Sequence, residues 1–226
     1  MIDFYYSPSP SSLKVALFLE ESATPYRPIL IDVRRGAQHT PTYRAINPNG
    51  KTPAIVEDGR TVFDGNAILL YLAEKTGRFL PTDTADRGEL LSWLMFIATG
   101  LGPYNGQAVH FRHFAIGQQA YAVNRYTYEA RRHFGILNER LADRPYLVGG
   151  TYTIVDMAAW ALSIPLERAV GDGAWAEFPH LARWYAEIGA HPAAARVMAL
   201  RQQYQTPFDE EARRHMFPQN TAFAAG

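Results

Sequence analysis

Cysteine is missing from all 226 residues. That excludes structural disulfides, Cys-ligated zinc, iron–sulfur clusters and any redox thiol carried by the protein itself. If the chain performs thiol chemistry, the thiols come from its ligands. An excess of charge is missing too. The 22 Lys and Arg balance 22 Asp and Glu, so no nucleic acid and no membrane surface is expected as a partner. No stretch approaches the roughly 20 apolar residues of a membrane span. The start, Met1-Ile2-Asp3-Phe4, lacks the basic region and apolar run of a signal peptide. The expectation is a soluble, cytoplasmic protein without repeats or low-complexity runs. Its length suits one or two compact domains with a substantial core.

What the chain does have is a concentration of proline and serine near its start: Ser7-Pro8-Ser9-Pro10-Ser11-Ser12. Ile2 to Tyr6 reads as a buried strand, and Leu13 to Leu19 as a helix of good formers. Pro10 biases Ser9 toward an extended backbone, and Ser11 or Ser12 is placed to cap the helix. The loop thus offers hydroxyls and free amides at the positive end of a helix, a suitable setting for an anion. An ordinary helix cap uses the same residues.

Residues 1–80 alternate strands and helices. Tyr26 to Val33 reads as a second strand, and a polar loop follows through Arg34–His39. Ala54–Glu57 and Arg60–Phe63, joined by Asp58-Gly59, predict a hairpin with a type I′ turn. Asp64 leads into a helix from Asn66 to Lys75 that Gly77 ends. This order predicts a small mixed sheet covered by helices. Residues 81–87 are polar and proline-marked, a linker. From 88 to 205 the pattern is all helical. Leu90, Leu91, Leu94, Ile97, Ala98 and Leu101 trace one face until Gly102-Pro103 interrupts it. Val123 to Leu141 steps by threes and fours, Thr153–Asp156 reads as a capping box, and Phe178, Leu181, Trp184, Tyr185 and Ile188 form a stripe. Pro192 opens a last short helix. The tail, 206–226, shows no periodicity and is expected to drape over the surface or fray.

Two further stretches are Asn47-Pro48-Asn49-Gly50-Lys51-Thr52-Pro53-Ala54-Ile55 and Asp64-Gly65-Asn66-Ala67-Ile68-Leu69-Leu70-Tyr71-Leu72. With the α/β half, the helical half and the Thr153–Asp156 box, they resemble the cytosolic glutathione transferases over nearly the whole chain. Arg34-Arg35-Gly36-Ala37-Gln38, Gly102–Gln107 and Asn124-Arg125-Tyr126 are most similar to the bacterial Nu class, whose members act as glutathione-dependent disulfide-bond reductases. The resemblance implies an α/β thioredoxin-like N-terminal domain plus an all-α C-terminal domain, and a homodimer.

It also implies site residues. Ser9 and Ser11 stand where Nu-class members usually have Thr and Asn at the glutathione sulfur. Gln38 is expected at the glycyl end. Thr52 is expected to pair its backbone with the cysteinyl part, ahead of a cis peptide at Pro53. Asp64 and Gly65 stand where an acidic residue and a serine hold the γ-glutamyl group. Arg125 matches an arginine that reaches the ligand from the helical half. The roles have physical grounds: Asp64 suits an ammonium, the amides opening its helix suit a carboxylate, and a peptide can pair as an added strand. Gly65 removes a hydroxyl worth about 1 kcal/mol, and Ser11 reaches less far than Asn.

The expected activity is glutathione-dependent disulfide reduction. Conjugation or ether cleavage of small electrophiles is the alternative, and a glutathione-binding scaffold with little turnover is the contrasting class. Arg125 on a helix face is by default solvated. His110 and His113 stand three apart, but no acidic third ligand is evident nearby, so no metal is expected. Trp93, Phe96, Tyr104, Phe111, Phe114 and Tyr121 read first as packing and second as walls of an acceptor pocket.

Overall fold

The structure, a computed structural model, describes residues 1–117 and 119–220. β1 (Ile2–Tyr6) leads into α1 (Pro10–Ser22), and β2 (Tyr26–Leu30) returns parallel to β1. A short α2 (Pro41–Ile46) precedes β3 (Ala54–Glu57) and β4 (Arg60–Phe63), and α3 (Gly65–Thr76) closes the unit. The four strands lie in the order β2-β1-β3-β4, with only the β1–β2 pair parallel. The hairpin turn has Asp58 at φ 49° and Gly59 at φ 74°, the two positive values that a type I′ turn requires. The register matters for function. Tyr5 lies opposite Ala54 in the antiparallel β1–β3 pair. Two residues onward along one strand and two back along the other, Ser7 and Thr52 therefore arrive at the same edge.

The second half is helical: α4 (Arg87–Phe96), α5 (Gly102–His113), α6 (Ala120–Arg140), α7 (Ile154–Ser163), α8 (Leu166–Val170), α9 (Pro179–Gly189), α10 (Pro192–Gln202) and α11 (Glu210–Met216). α7 is buried all round and packs against α1, α3 and α4, which binds the two halves together. Its capping box forms as expected, with Asp156 accepting from the Thr153 amide at 2.9 Å. The same carboxylate also accepts from the Leu147 amide and the Trp184 indole, each at 3.0 Å. No helix among the described residues is long and apolar enough to cross a membrane.

Five expectations need correction. α1 starts at Pro10, so the cap position is Ser9 rather than Ser11 or Ser12, and its side chain makes no capping bond. Proline's fixed φ suits the first helical position and draws the helix start forward. β2 stops at Leu30 because Asp32 caps a 3₁₀ turn over Val33–Arg35. Thr40 and Pro41 open α2, a helix with no counterpart in the sequence reading. Gly102-Pro103 does not interrupt the α4–α5 run. A π turn over Ile97–Leu101 carries it through, with the Gly102 amide reaching back to the Ile97 carbonyl. Up to Asn220 the tail does lie over the rest of the chain, but as a helix rather than as irregular chain: it forms α11 and docks on the turn after β2. Its last residues, 221–226, lie outside the described residues.

Candidate active site

The serine loop forms a connected row of hydroxyls. Ser7 Oγ lies 2.6 Å from Thr52 Oγ1 and donates to Ser9 Oγ at 3.4 Å. Ser12, buried inside α1, accepts the Ser7 amide at 3.3 Å and lies 3.4 Å from Ser9 Oγ. Pro10 has no N–H, and the first turn begins with the Ser12 and Leu13 amides bonding to the Ser9 carbonyl. The Ser11 amide and hydroxyl are therefore unpaired among the described residues. β3 begins at Ala54, which leaves the Thr52 main chain outside the ladder, and the Thr52–Pro53 peptide is cis.

Beside this row lies the start of α3. Asp64, at φ 70°, caps the helix by accepting from the Asn66 and Ala67 amides at 2.8 and 3.2 Å. Those amides are thus not available to a ligand carboxylate as the sequence suggests; in the first turn only the Gly65 amide is left. Gly65 is needed where it stands. A Cβ there would overlap Lys14 Cε and come within 2.8 Å of the Ser11 carbonyl oxygen. Lys14 is 4 % exposed, and its ammonium donates to Asn66 Oδ1 at 2.6 Å. Burial pushes its pKa down to about 8, with Asp64 working in the opposite sense. A lysine inside the apolar run Leu13–Leu19 is the signal that marks it in the sequence.

Ser7, Ser9 and Ser11 open onto a cavity of about 600 Å³ between the two halves. Its far walls come from α5, α8, α10 and the C-terminal segment. That segment is held by several bonds to the turn after β2. Tyr204 and Thr206 donate to the two oxygens of Asp32 at 2.6 and 2.7 Å, Arg35 forks onto Asp209, and Arg34 donates to the Thr206 carbonyl. Burial opposes it, yet these donors hold the Asp32 carboxyl below its ordinary range.

Residues 8–75 match the family model described as Glutathione S-transferase, N-terminal domain, and residues 120–187 the one described as Glutathione S-transferase, C-terminal domain. The disulfide-bond oxidoreductase YfcG of Escherichia coli (strain K12) is 41 % identical over 205 residues, 88 % of this chain and 94 % of that protein. This chain belongs to the glutathione S-transferase family. The Nu-class resemblance drawn from its motifs is borne out by such relatives. A glutathione transferase from Burkholderia graminis, solved with two glutathione molecules per subunit, superposes with a TM-score of 0.81 at 35 % identity, covering 90 % of this chain and 89 % of that one. One from Pseudomonas putida, with one glutathione disulfide bound per subunit, gives 0.81 at 30 % identity and covers 87 % and 90 %.

Set against the roles that glutathione transferase motifs imply, the structure groups Ser9, Ser11, Thr52, Pro53, Asp64 and Gly65 and leaves out two residues. Gln38 is 6 % exposed beneath the C-terminal segment, with its amide donating to the Val33 and His215 carbonyls. Arg125 pairs with Glu129 one turn along α6 and does not line the cavity. The sequence did not single out Ser7 or Ser12 as site residues, nor Lys14, nor the arginines of α8 and α10. Of the aromatic group, Phe114 lines the cavity, Phe111 stacks on Tyr126 at 5.2 Å, and Tyr121 is 84 % exposed and packs in neither role. His113 bonds the Arg168 carbonyl while His110 lies against Phe217.

Proposed function

We propose that the chain reduces disulfides in the cytoplasm with glutathione as cosubstrate. The observation that carries this reading is a row of hydroxyls opening on a cavity in a chain without cysteine. Either hydroxyl can donate in the 2.6 Å Ser7–Thr52 contact; with Thr52 as the donor, the Ser7 proton is free to turn to Ser9 at 3.4 Å. The Ser9 proton is then directed to a glutathione sulfur, and each bond polarises the next. The unpaired Ser11 hydroxyl and amide are further donors. A thiol near pKa 8.5 that drops by two units needs about 2.7 kcal/mol of preference for the anion. One hydrogen bond to a charged group contributes about 1.5–3 kcal/mol, so this row is sufficient.

Asp64 and the Gly65 amide hold the γ-glutamyl ammonium and carboxylate, and the Thr52 main chain pairs with the cysteinyl part next to Pro53. The bound thiolate attacks one sulfur of the acceptor disulfide, forming a glutathione mixed disulfide and releasing one thiolate. A second glutathione thiolate attacks the glutathione sulfur, giving glutathione disulfide and the second thiolate. Two electrons pass from two glutathiones to one disulfide, and the protein is unchanged. Gln38 meets the glycyl end only when the C-terminal segment lifts. Arg125 acts across the interface of a homodimer. Apolar side chains left exposed on β4 (Phe63), α4 (Met95) and α6 (Tyr128) support such an assembly; light scattering that gives a monomer at micromolar concentration would remove it.

The test measures kcat/KM for 2-hydroxyethyl disulfide and for 1-chloro-2,4-dinitrobenzene, with thiolate absorbance titrated in wild type, Ser9→Ala and Ser11→Ala. Reduction is expected to exceed conjugation, with the thiol pKa rising most in Ser9→Ala. Faster conjugation would make the chain a conjugating transferase, and glutathione binding without either reaction would make it a scaffold.

A further inference from the structure

Among the described residues, the cavity in front of the serine loop is lined by three arginines and by no carboxylate. Arg34 is engaged: it donates to the Thr206 carbonyl, and its guanidinium lies 4.9 Å from the Tyr204 ring centre and 5.7 Å from that of Phe208. Arg168 of α8 lies over the Phe114 ring at 5.3 Å. Neither Arg168 nor Arg201 of α10 has an ion pair or a side-chain hydrogen bond among the described residues. Three carboxylates of the adjoining segments are occupied. Asp32 accepts from Tyr204 and Thr206, Asp209 pairs with Arg35, and Glu167 accepts the Gly173 amide. A third group in the wall also lacks a partner. Asn105 is 2 % exposed and gives its amide to the Leu162 carbonyl at 2.6 Å, but its Oδ1 is buried without a donor.

Two guanidinium groups without partners and aromatic faces describe a complementary ligand. It has an apolar body and at least one carboxylate for a forked pair of bonds. A neutral or cationic acceptor would leave the guanidinium groups uncompensated or repelled. Resting on the disulfide-reductase reading, we propose that the acceptor taken by this cavity is an anionic disulfide whose carboxylate is held by Arg168 and Arg201.

Three small disulfides of similar length decide it at saturating glutathione: 3,3′-dithiodipropionate, 2-hydroxyethyl disulfide and cystamine, which are anionic, neutral and cationic. In wild type kcat/KM is expected to fall in that order, with the anionic substrate favoured over the neutral one by about tenfold or more. In R168Q/R201Q the ratio should collapse toward one, while the KM for glutathione holds. A ratio near one in wild type, an unchanged ratio in the variant, or a loss that falls on the glutathione KM overturns the proposal. Calorimetry with 3,3′-thiodipropionate, a thioether that cannot be reduced, runs beside it in the presence of glutathione. If this anion binds wild type but not the variant while no disulfide is reduced, the anion pocket stands and the reductase reading fails. If it binds neither or both, the pocket assignment fails.

Discussion

Restoring the residue that the family usually carries at position 65 should harm this protein. A serine Cβ at Gly65 would overlap Lys14 Cε, stand 3.1 Å from Lys14 Nζ and 2.8 Å from the Ser11 carbonyl oxygen. The lysine end is flexible, but the carbonyl belongs to the first turn of α1 and moves only with the serine loop. Overpacking of this kind costs about 1–3 kcal/mol. The regained hydroxyl returns about 1 kcal/mol at most, and only with ligand bound. Gly65→Ser is therefore expected to lower the urea midpoint by roughly 0.3–1 M, at a slope of about 3 kcal/mol/M. It should also weaken glutathione binding rather than strengthen it, because the displaced carbonyl is that of Ser11. Lys14→Ala removes one of the two clashes. In the double variant the Gly65→Ser loss should shrink by about 1–2 kcal/mol, a coupling well above the ~0.5 kcal/mol scatter of independent sites. Urea melts of the four proteins in the cycle measure it. An unchanged midpoint in Gly65→Ser, or simple additivity with Lys14→Ala, would refute the claim that Lys14 fills the place of the missing side chain.

Lys14 also sets a pH dependence: its folded pKa of about 8 lies below the ordinary 10.5, so between these values the unfolded chain holds the extra proton and stability rises with pH. The full gain is about 3 kcal/mol, and chemical melts from pH 7.5 to 10 should show it in wild type and not in Lys14→Ala; a flat wild-type profile would contradict the buried ammonium. Tyr204→Phe removes the donor that ties the C-terminal segment to Asp32. Losing about 1 kcal/mol of tether should raise local opening roughly fivefold, seen as faster amide exchange over residues 203–217 at unchanged global stability, whereas unchanged exchange would mean that the remaining bonds, from Thr206, Arg34, Arg35 and Gln38, hold the segment without Tyr204.

Which parts of the molecule can be read from the chain follows from how far apart the cooperating residues lie. The hairpin and its Asp58-Gly59 turn, the Asp64 cap and the Thr153–Asp156 box are local patterns, complete within ten residues, and each forms as expected. Gly102-Pro103 misleads for a physical reason. A proline breaks an α-helix by its missing donor, but a π turn shifts the bonding by one residue and passes it. Tail docking depends on Tyr204 meeting Asp32 across 172 positions, and no periodicity in residues 206–226 announces that. The site divides in the same way. Ser9, Ser11, Thr52 and Asp64 lie in or next to marked helix starts and turns, whereas Ser7 gains its place only through the β1–β3 register, which sets it beside Thr52. Arg168 and Arg201 look like ordinary charged positions on two helices until the fold brings both to one cavity.

The missing cysteine and the arginine-lined cavity bear on one another. A disulfide reductase with a thiol of its own can hold the mixed disulfide covalently and wait for the second thiol. This chain cannot, so the glutathione thiolate and an anionic acceptor must meet while both are held by non-covalent contacts. Two unit negative charges 8 Å apart repel by about 2 kcal/mol at an effective dielectric of 20, a rate penalty of roughly thirtyfold if nothing offsets it. Serine hydroxyls stabilise the thiolate but carry no net charge to set against the second anion. The ammonium of Lys14 is buried on the far side of Ser11 and turned to Asn66. Within one chain, Arg168 and Arg201 are the cavity-lining cations that have neither an ion pair nor a side-chain hydrogen bond among the described residues, whereas Arg34 is held by the Thr206 carbonyl. A thiol-free attack on an anionic disulfide therefore depends on these two side chains for the charge balance of its first step, and with a neutral acceptor that step no longer needs them.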